Sequence, residues 1–70
     1  MKHTIPNKVC EFRQAINVTQ EELAGAVGVS RQTIISIEKE SCDPSVCLAL
    51  KISNFLKHPL EEVFLLPDNC

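Results

Sequence analysis

Apolar residues recur along this chain at the three- and four-residue spacing of amphipathic helices. In the first such segment Val9, Phe12 and Ile16 fall at i, i+3 and i+7, on one side of a helix. Asn7 stands just before them, where a helix start favours a side chain that caps it. The pattern predicts a first helix that begins after Asn7 and buries this apolar face.

The second segment carries a start signal and a stop signal. In TQEELAGAV, Thr19 precedes Glu22 by three residues, which is the spacing of a capping box. Gly28 follows the segment, where a helix end favours a residue with positive φ. We therefore expect a second helix whose buried face contains Leu23, Ala24 and Val27.

The third segment, VSRQTIISIEK, begins immediately after that glycine. Ser30 is its candidate cap, and Ile34 and Ile37 form an i, i+3 stripe that predicts its buried side. The turn DPS then separates this helix from the rest of the chain.

The remaining apolar positions predict two more helices. Ser45 is the candidate cap of the fourth. Its buried face is expected to contain Leu48, Ile52 and Phe55, broadened by Val46, Ala49, Leu50 and Leu56. A last short helix is expected from Leu60 to Phe64, with Pro59 near its start and Pro67 stopping it.

These segments predict an all-α fold, in which five short helices form one compact domain over residues 1–70. An arm (1–6) and an apolar tail (65–70) flank the helices and leave room for short extended segments. The run VFLLP is more apolar than a free chain end tolerates, which predicts self-association through the last helix and the tail. The alternative is that Val63 and Phe64 only cover the core of their own molecule.

Residues 20–39 meet every requirement of a tight helix-turn-helix. Ala24 is small where the two helices touch, and Gly28 supplies positive φ in the turn. Val29 then gives an apolar residue after the turn, and Ile34 and Ile37 complete the second helix. Each feature is common alone, but their combination over twenty residues is a strong signal.

Here the chain resembles a known family. VTQEELAGAVGVSRQTI, IEK, PS and LALKI are similar to stretches of the Cro/C1-type helix-turn-helix regulators, the Xre family, and PLEEVF resembles the ending of its small stand-alone repressors. The resemblance runs from Val9 to Phe64. It implies a lambda-repressor-like, five-helix DNA-binding domain and a transcriptional regulator, in particular a repressor. Such a protein binds double-stranded DNA at a near-palindromic operator as a homodimer, with its third helix in the major groove.

The same resemblance assigns the residues that contact bases. Arg31 and Gln32 begin the third helix and would face base edges, where arginine pairs with guanine and glutamine with adenine. Ser36 lies one turn later and discriminates more weakly. The hydroxyl groups of Ser30 and Thr33 would touch a phosphate or a thymine methyl group.

Further residues are assigned to the DNA backbone or to the scaffold. Gln20 opens the second helix and would meet a phosphate there, or brace Gln32. Lys39 would meet the backbone beyond the end of the third helix. The resemblance also implies that Arg13 pairs with Glu38 as a scaffold contact rather than a DNA contact.

The charge of the chain argues against strong nonspecific DNA binding. Seven basic and nine acidic residues give a net charge of −2. After IEK the chain also departs from its family, since Glu40 replaces a residue tolerant of positive φ, at a cost of about 1 kcal/mol. Ser41, Cys42 and Asp43 replace groups that often hold the DNA backbone. We therefore expect weaker binding, with Arg13, Arg31 and Lys39 keeping the surface around the third helix neutral or mildly basic.

Four cysteines, Cys10, Cys42, Cys47 and Cys70, are many for this length. The C-x4-C spacing of Cys42 and Cys47 lacks the C-x2-C pair or nearby histidine of a zinc site, so we expect reduced thiols, no metal and no cofactor. Cys47 falls at an apolar-periodic position, where a thiol packs as a small hydrophobic group.

The sequence also bears on other classes of protein. It lacks the apolar stretch of a secretory signal or a membrane span, which predicts a cytoplasmic protein with no membrane partner. No nucleophile–base pair or phosphate loop stands out, so we expect no enzymatic activity. Two other functions stay open: an antitoxin-like interaction module of the same fold, and a thiol-responsive regulator in which Cys42 or Cys47 is modified.

Overall fold

The computed structural model describes residues 5–67 of the chain. Within that range it has five helices: α1 (Val9–Ala15), α2 (Gln20–Val27), α3 (Arg31–Glu38), α4 (Val46–Leu56) and α5 (Leu60–Val63). The predicted all-α, five-helix architecture is therefore confirmed. Residues 1–4 of the arm and 68–70 of the tail, with Cys70, lie outside the described range.

Side-chain caps start the three longest helices as predicted. The Thr19 hydroxyl accepts a hydrogen bond from the Glu22 N–H group at 3.0 Å, and the Glu22 carboxylate accepts one from the Thr19 N–H group at 2.8 Å. Ser30 and Ser45 cap α3 and α4 by accepting bonds from N–H groups three residues onward, at 3.3 and 3.1 Å. These bonds satisfy amide groups that a helix start leaves without partners.

One type of ending stops α1 to α4. A residue with positive φ follows each of these helices, and the next N–H group reaches back five residues to a helix carbonyl oxygen, which is the Schellman arrangement. The four positive-φ residues are Asn17, Gly28, Glu40 and Lys57. The value of +59° at Glu40 confirms that this residue stands where glycine or asparagine would be less strained.

The core lies where α2 packs against α3 and α4. Its buried members are Val9, Leu23, Ala24, Val27, Ile34, Ile37, Ile52, Leu56 and Val63. The buried stripes predicted for α2 and α3 are thus confirmed. Their contact in the core fixes the angle between these two helices.

The buried face predicted for α4 is right for Ala49, Ile52 and Leu56 and wrong for Val46, Leu50 and Phe55. Its buried side consists of Ala49, Ile52, Ser53 and Leu56, and Leu48 is half-buried at the margin. Phe55 is 36% exposed. Val46, Cys47 and Leu50 are exposed, with Val46 at 74%. Ser53 is tolerated in the core because its hydroxyl donates to the Ala49 carbonyl oxygen at 2.9 Å.

Two expectations for α1 also change. The helix buries Arg13 in place of Ile16, which is 48% exposed, because Arg13 has a carboxylate partner in the interior. Lys8 rather than Asn7 is the residue before the first helical turn. Asn7 still acts on this helix start, since its Oδ1 atom accepts a hydrogen bond from the Val9 N–H group at 3.1 Å.

Helix α5 ends at Val63, one residue before the predicted end and well before Pro67. The chain ends this helix by becoming extended and pairing with the arm. The Lys8 N–H group donates to the Val63 carbonyl oxygen and the Leu65 N–H group to that of Pro6, both at 2.8 Å. Val63 is fully buried, so it covers the core of its own molecule.

An apolar groove of about 470 Å³ lies between the start of α4, helix α5 and the tail. Its apolar lining includes Ile5, Val46, Leu60, Phe64, Leu65 and Leu66. Leu66 is 81% exposed at its edge. None of the helices within residues 5–67 has the length and apolar character to cross a membrane.

Candidate nucleic-acid interface

The turn between α2 and α3 places these helices close together. Gly28 has φ of +81° and its N–H group donates to the Ala24 carbonyl oxygen at 2.9 Å. The Val29 N–H group donates to the same oxygen at 3.0 Å. Two residues after Gly28, Ser30 already caps α3. The predicted helix-turn-helix is therefore present, and α3 leaves the turn with its first residues pointing away from the core.

The start of α3 presents a polar edge made of Arg31, Gln32, Thr33 and Ser36. Arg31 and Gln32 are exposed, and Thr33 and Ser36 are half-buried. The hydroxyl groups of Ser30 and Thr33 lie 3.0 Å apart and hydrogen bond to each other. Arg31 and Gln32 are thus the members of the edge that project furthest toward a ligand, while Ser30 and Thr33 also stabilise the helix start.

A buried network fixes the other end of α3. The Glu38 carboxylate accepts bonds from Arg13 Nε at 2.7 Å and Arg13 Nη2 at 3.3 Å, and the two side chains are only 7% and 10% exposed. Arg13 Nη1 donates to the Val18 carbonyl oxygen at 2.8 Å. The hydrogen bond to Glu38 raises the pKa of Arg13 above its ordinary value, against the opposing effect of burial. The implied Arg13–Glu38 pair is present and belongs to the scaffold.

Gln20 is the third member of this Glu38 network. Its Nε2 atom donates to Glu38 Oε1 at 2.9 Å, so the expected brace to Gln32 is replaced by one to Glu38. No sequence motif indicated this bond, since the two residues are 18 positions apart. A buried carboxylate with one arginine partner does, however, retain lone pairs for another donor.

A polar cleft of about 410 Å³ separates the starts of α2 and α3. Its lining consists of Arg13, Thr19, Gln20, Glu21 and Arg31. The fold therefore brings Gln20 and Arg31, which are eleven positions apart in sequence, to one cleft. The N-terminal end of α2 also carries the partial positive charge of a helix start, which favours an anion.

Lys39 is exposed at the far end of α3 and is the residue that follows its last helical turn. It lies eight positions after Arg31, which is roughly 12 Å along a helix axis. The two cations therefore lie at opposite ends of the helix that carries the polar edge.

The two acidic residues after α3 are engaged with the arm and with Asn7, the residue that follows it. The Asp43 carboxylate accepts a bond from the Ile5 N–H group at 2.8 Å, and the Glu40 carboxylate accepts one from the Asn7 N–H group at 3.4 Å. Arg13 is likewise paired inside the molecule. The predicted basic cluster is therefore smaller than expected, because Arg31 and Lys39 remain exposed while Arg13 is neutralised by Glu38.

The cysteines divide by exposure. Cys10 is half-buried and accepts a weak bond from Arg13 Nη2 at 3.5 Å. Cys42 and Cys47 are exposed, so the expectation that Cys47 packs as a hydrophobic residue is wrong. Its side of α4 faces solvent because Ala49, Ile52 and Leu56 form the buried side. Within residues 5–67 no three histidine, cysteine or acidic side chains are grouped as metal ligands.

A tight turn between two helices, the second of which has an exposed polar edge, defines the helix-turn-helix class. The family model described as helix-turn-helix matches residues 11–63. The chain belongs to the helix-turn-helix family of the Cro/C1 or Xre type, as its sequence motifs indicated.

Similar proteins come from archaea and bacteria. A helix-turn-helix-type transcriptional regulator of Methanocaldococcus jannaschii is 49% identical over 63 residues, which cover 90% of this chain and 96% of that protein. The regulator YgzD of Bacillus subtilis is 45% identical over 62 residues, covering 89% of this chain and 94% of its own. Among solved structures, the restriction-modification controller protein C.AhdI of Aeromonas hydrophila has a TM-score of 0.73 and 27% identity, over 79% of this chain and 83% of its own.

Proposed function

We propose that this protein is a transcriptional repressor that binds a near-palindromic DNA operator as a homodimer in the cytoplasm. The observation that carries the proposal is the exposed polar edge of α3, on a helix whose orientation is fixed by the buried Glu38 network. A helix held in this way enters the major groove with few conformational alternatives. Relatives of nearly the same length that are called transcriptional regulators support the same function.

Arg31 and Gln32 carry the base recognition in this proposal. Both are exposed on the first turn of α3. A guanidinium group donates two hydrogen bonds to the O6 and N7 atoms of guanine, and a carboxamide group pairs with the N6 and N7 atoms of adenine. Ser36 lies one turn further along the same edge and discriminates more weakly, because a hydroxyl group both donates and accepts.

The proposed contacts with the DNA backbone lie on both sides of the polar edge. Gln20 lies in the cleft at the start of α2, where a phosphate oxygen would meet N–H groups of the helix start. Lys39 meets a phosphate at the other end of α3. Ser30 and Thr33 complete the set through hydroxyl groups that already lie at the surface of the turn or close to it.

The apolar groove is the surface through which we propose that two copies associate. It combines a concave lining with protruding residues, Val46 and Leu66, that are 74% and 81% exposed. A surface with both features suits a twofold contact, in which each copy places its projections into the concavity of the other. Dimerisation places two α3 helices about 34 Å apart, one turn of DNA, on the two halves of the operator.

Selection of bound sequences from a random DNA pool tests the proposal as a whole. We expect a near-palindromic consensus, and Arg31→Ala and Gln32→Ala each to weaken binding to it by roughly 5- to 100-fold. Lys51→Ala, which removes an equal charge from the exposed side of α4, and Gln14→Ala on α1 are the matched controls and should change binding little. If Arg31→Ala and Gln32→Ala bind as well as the wild type, the assignment of α3 as the reading helix is wrong.

A further inference from the structure

Asn7 makes contacts with four separate parts of the molecule. Its Oδ1 atom accepts from the Val9 N–H group at the start of α1, at 3.1 Å. Its Nδ2 atom donates to the Ile37 carbonyl oxygen near the end of α3, at 2.8 Å. Its N–H group donates to the Glu40 carboxylate at 3.4 Å, and the residue forms an antiparallel bridge with Phe64. No sequence signal beyond a helix cap marked this residue.

Two of these contacts join regions with different proposed roles. Ile37 lies in the last turn of α3, the helix that carries the polar edge. Phe64 lines the apolar groove. Asn7 therefore connects the end of the helix proposed to read DNA with the surface proposed to hold the second copy.

Residues on both sides of Asn7, Ile5 in the arm and Lys8 just before α1, strengthen this connection. Before it, Ile5 lines the apolar groove, and its N–H group donates to the Asp43 carboxylate in the loop after α3. After it, the Lys8 N–H group donates to the Val63 carbonyl oxygen at the end of α5. The arm is thus bonded to the loop after α3 and to the segment that leads into the tail.

We propose that Asn7 is a positioning residue that holds α3 in a fixed orientation relative to the apolar groove, and so determines which half-site spacing the dimer accepts. The inference rests on the proposed function, because it requires two copies on one operator. In a symmetric dimer any rotation of α3 relative to the groove occurs in both subunits, so its effect on helix separation is doubled. One base pair of spacing corresponds to about 3.4 Å and roughly 35° of rotation along DNA. A looser connection therefore admits more than one spacing.

The test compares variants on a series of operators whose half-site spacing differs by single base pairs. Asn7→Ser keeps a short side-chain acceptor for the Val9 N–H group but removes the amide that reaches Ile37. Val27→Ala is the control, since it removes buried side-chain atoms on α2, lies outside the groove lining and leaves the bonds of Asn7 in place. The readout is the ratio of affinity at the best spacing to affinity one base pair away. A change in stability alone lowers both affinities together and leaves this ratio unchanged.

We expect the ratio to fall by about threefold or more in Asn7→Ser and to stay at the wild-type value in Val27→Ala. If the ratio is unchanged in a folded Asn7→Ser protein, the inference is wrong. The proposed function is unaffected by that result as long as the wild-type protein prefers one half-site spacing. A wild-type protein with no preferred spacing contradicts dimeric operator binding, and the inference falls with it.

A second variant covers the case in which Asn7→Ser does not fold. Asp43→Ala changes an exposed residue and removes the bond to the Ile5 N–H group, which loosens the same arm. The spacing ratio should fall in this variant too. If it keeps the wild-type ratio, the arm does not control the orientation of α3 and the inference is wrong.

Discussion

Glu38 accepts hydrogen bonds from side chains on two other helices, while its own helix carries the polar edge. Arg13 reaches it from α1 and Gln20 from α2. The pair with Arg13 is almost fully buried, so each charge depends on the other for compensation. One carboxylate thereby holds three helices in a defined relation at the surface proposed to meet DNA.

Replacing Glu38 by alanine should lower the free energy of unfolding by about 3 kcal/mol or more, because Arg13 would keep a buried charge without its partner. Urea unfolding followed by circular dichroism measures this change. Glu11→Ala removes an exposed carboxylate from α1 and should stay within about 0.5 kcal/mol of the wild type. Equal losses in the two variants would show that the buried Glu38 carboxylate contributes no more to stability than an exposed one.

Three residues with side chains stand at helix ends that favour glycine, and two of them, Glu40 and Lys57, lack the tolerance of asparagine for positive φ. Glu40 has φ of +59° and Lys57 has φ of +61°. Lys57→Gly should raise the free energy of unfolding by about 0.5–1 kcal/mol, because it relieves backbone strain. Glu40→Gly should gain less, since it also removes the carboxylate that accepts from the Asn7 N–H group. Urea titrations of both variants test the difference, and equal gains would mean that the Glu40 bond has no net effect.

At the scale of helices, the success of a sequence prediction depended on how local its signal was. The caps at Thr19, Ser30 and Ser45 and the stop at Gly28 involve neighbours within five residues, and all are present. The family motifs cover the same segments, so the helix-turn-helix could be predicted well.

Contacts across the fold were harder to predict. Helix α4 has apolar residues on nearly every side, so periodicity alone could not select its buried face. Its register follows from contact with α2, which the sequence does not specify. The bond from Gln20 to Glu38 and the bonds of Asn7 likewise depend on residues that only the folded chain brings together.

The orientation of α4 in the fold can be tested by truncating one isoleucine and one leucine to alanine. Ile52 is fully buried, so Ile52→Ala should cost about 2–5 kcal/mol of unfolding free energy. Leu50 is 46% exposed, so Leu50→Ala should cost less than about 1 kcal/mol. Thermal or urea unfolding measures both values. A reversed order would show that α4 is rotated from the orientation described above.

At the scale of the whole molecule, an acidic chain still presents an edge suited to DNA because its charges are separated in space. Glu40 and Asp43 bond to Asn7 and the arm, and Glu38 to Arg13. Arg31 and Lys39 remain exposed along α3. With so few exposed cations near the edge, we expect binding that depends strongly on base contacts and on dimerisation.

Association through the apolar groove predicts a particle of twice the 7.8 kDa of one chain. Leu66→Lys places a charge at the edge of the groove and should shift the protein to the monomer, as measured by light scattering. It should also weaken operator binding, because two half-sites are no longer bound together. Ile16→Lys introduces the same charge at an exposed apolar residue outside the groove lining and serves as the control. A dimeric Leu66→Lys protein would place the interface elsewhere.

The Glu38 network holds α3 through buried side chains, whereas Arg31 and Gln32 are exposed, and this difference in burial has an evolutionary consequence. Substitutions at the two exposed positions alter the DNA sequence preferred by the protein while leaving buried Arg13 and Glu38 untouched. In a saturation library, positions 31 and 32 should therefore tolerate many residues when variants are scored by cellular abundance, and few when they are scored by operator occupancy. The preferred operator could then change between related genomes without any intermediate variant losing its fold.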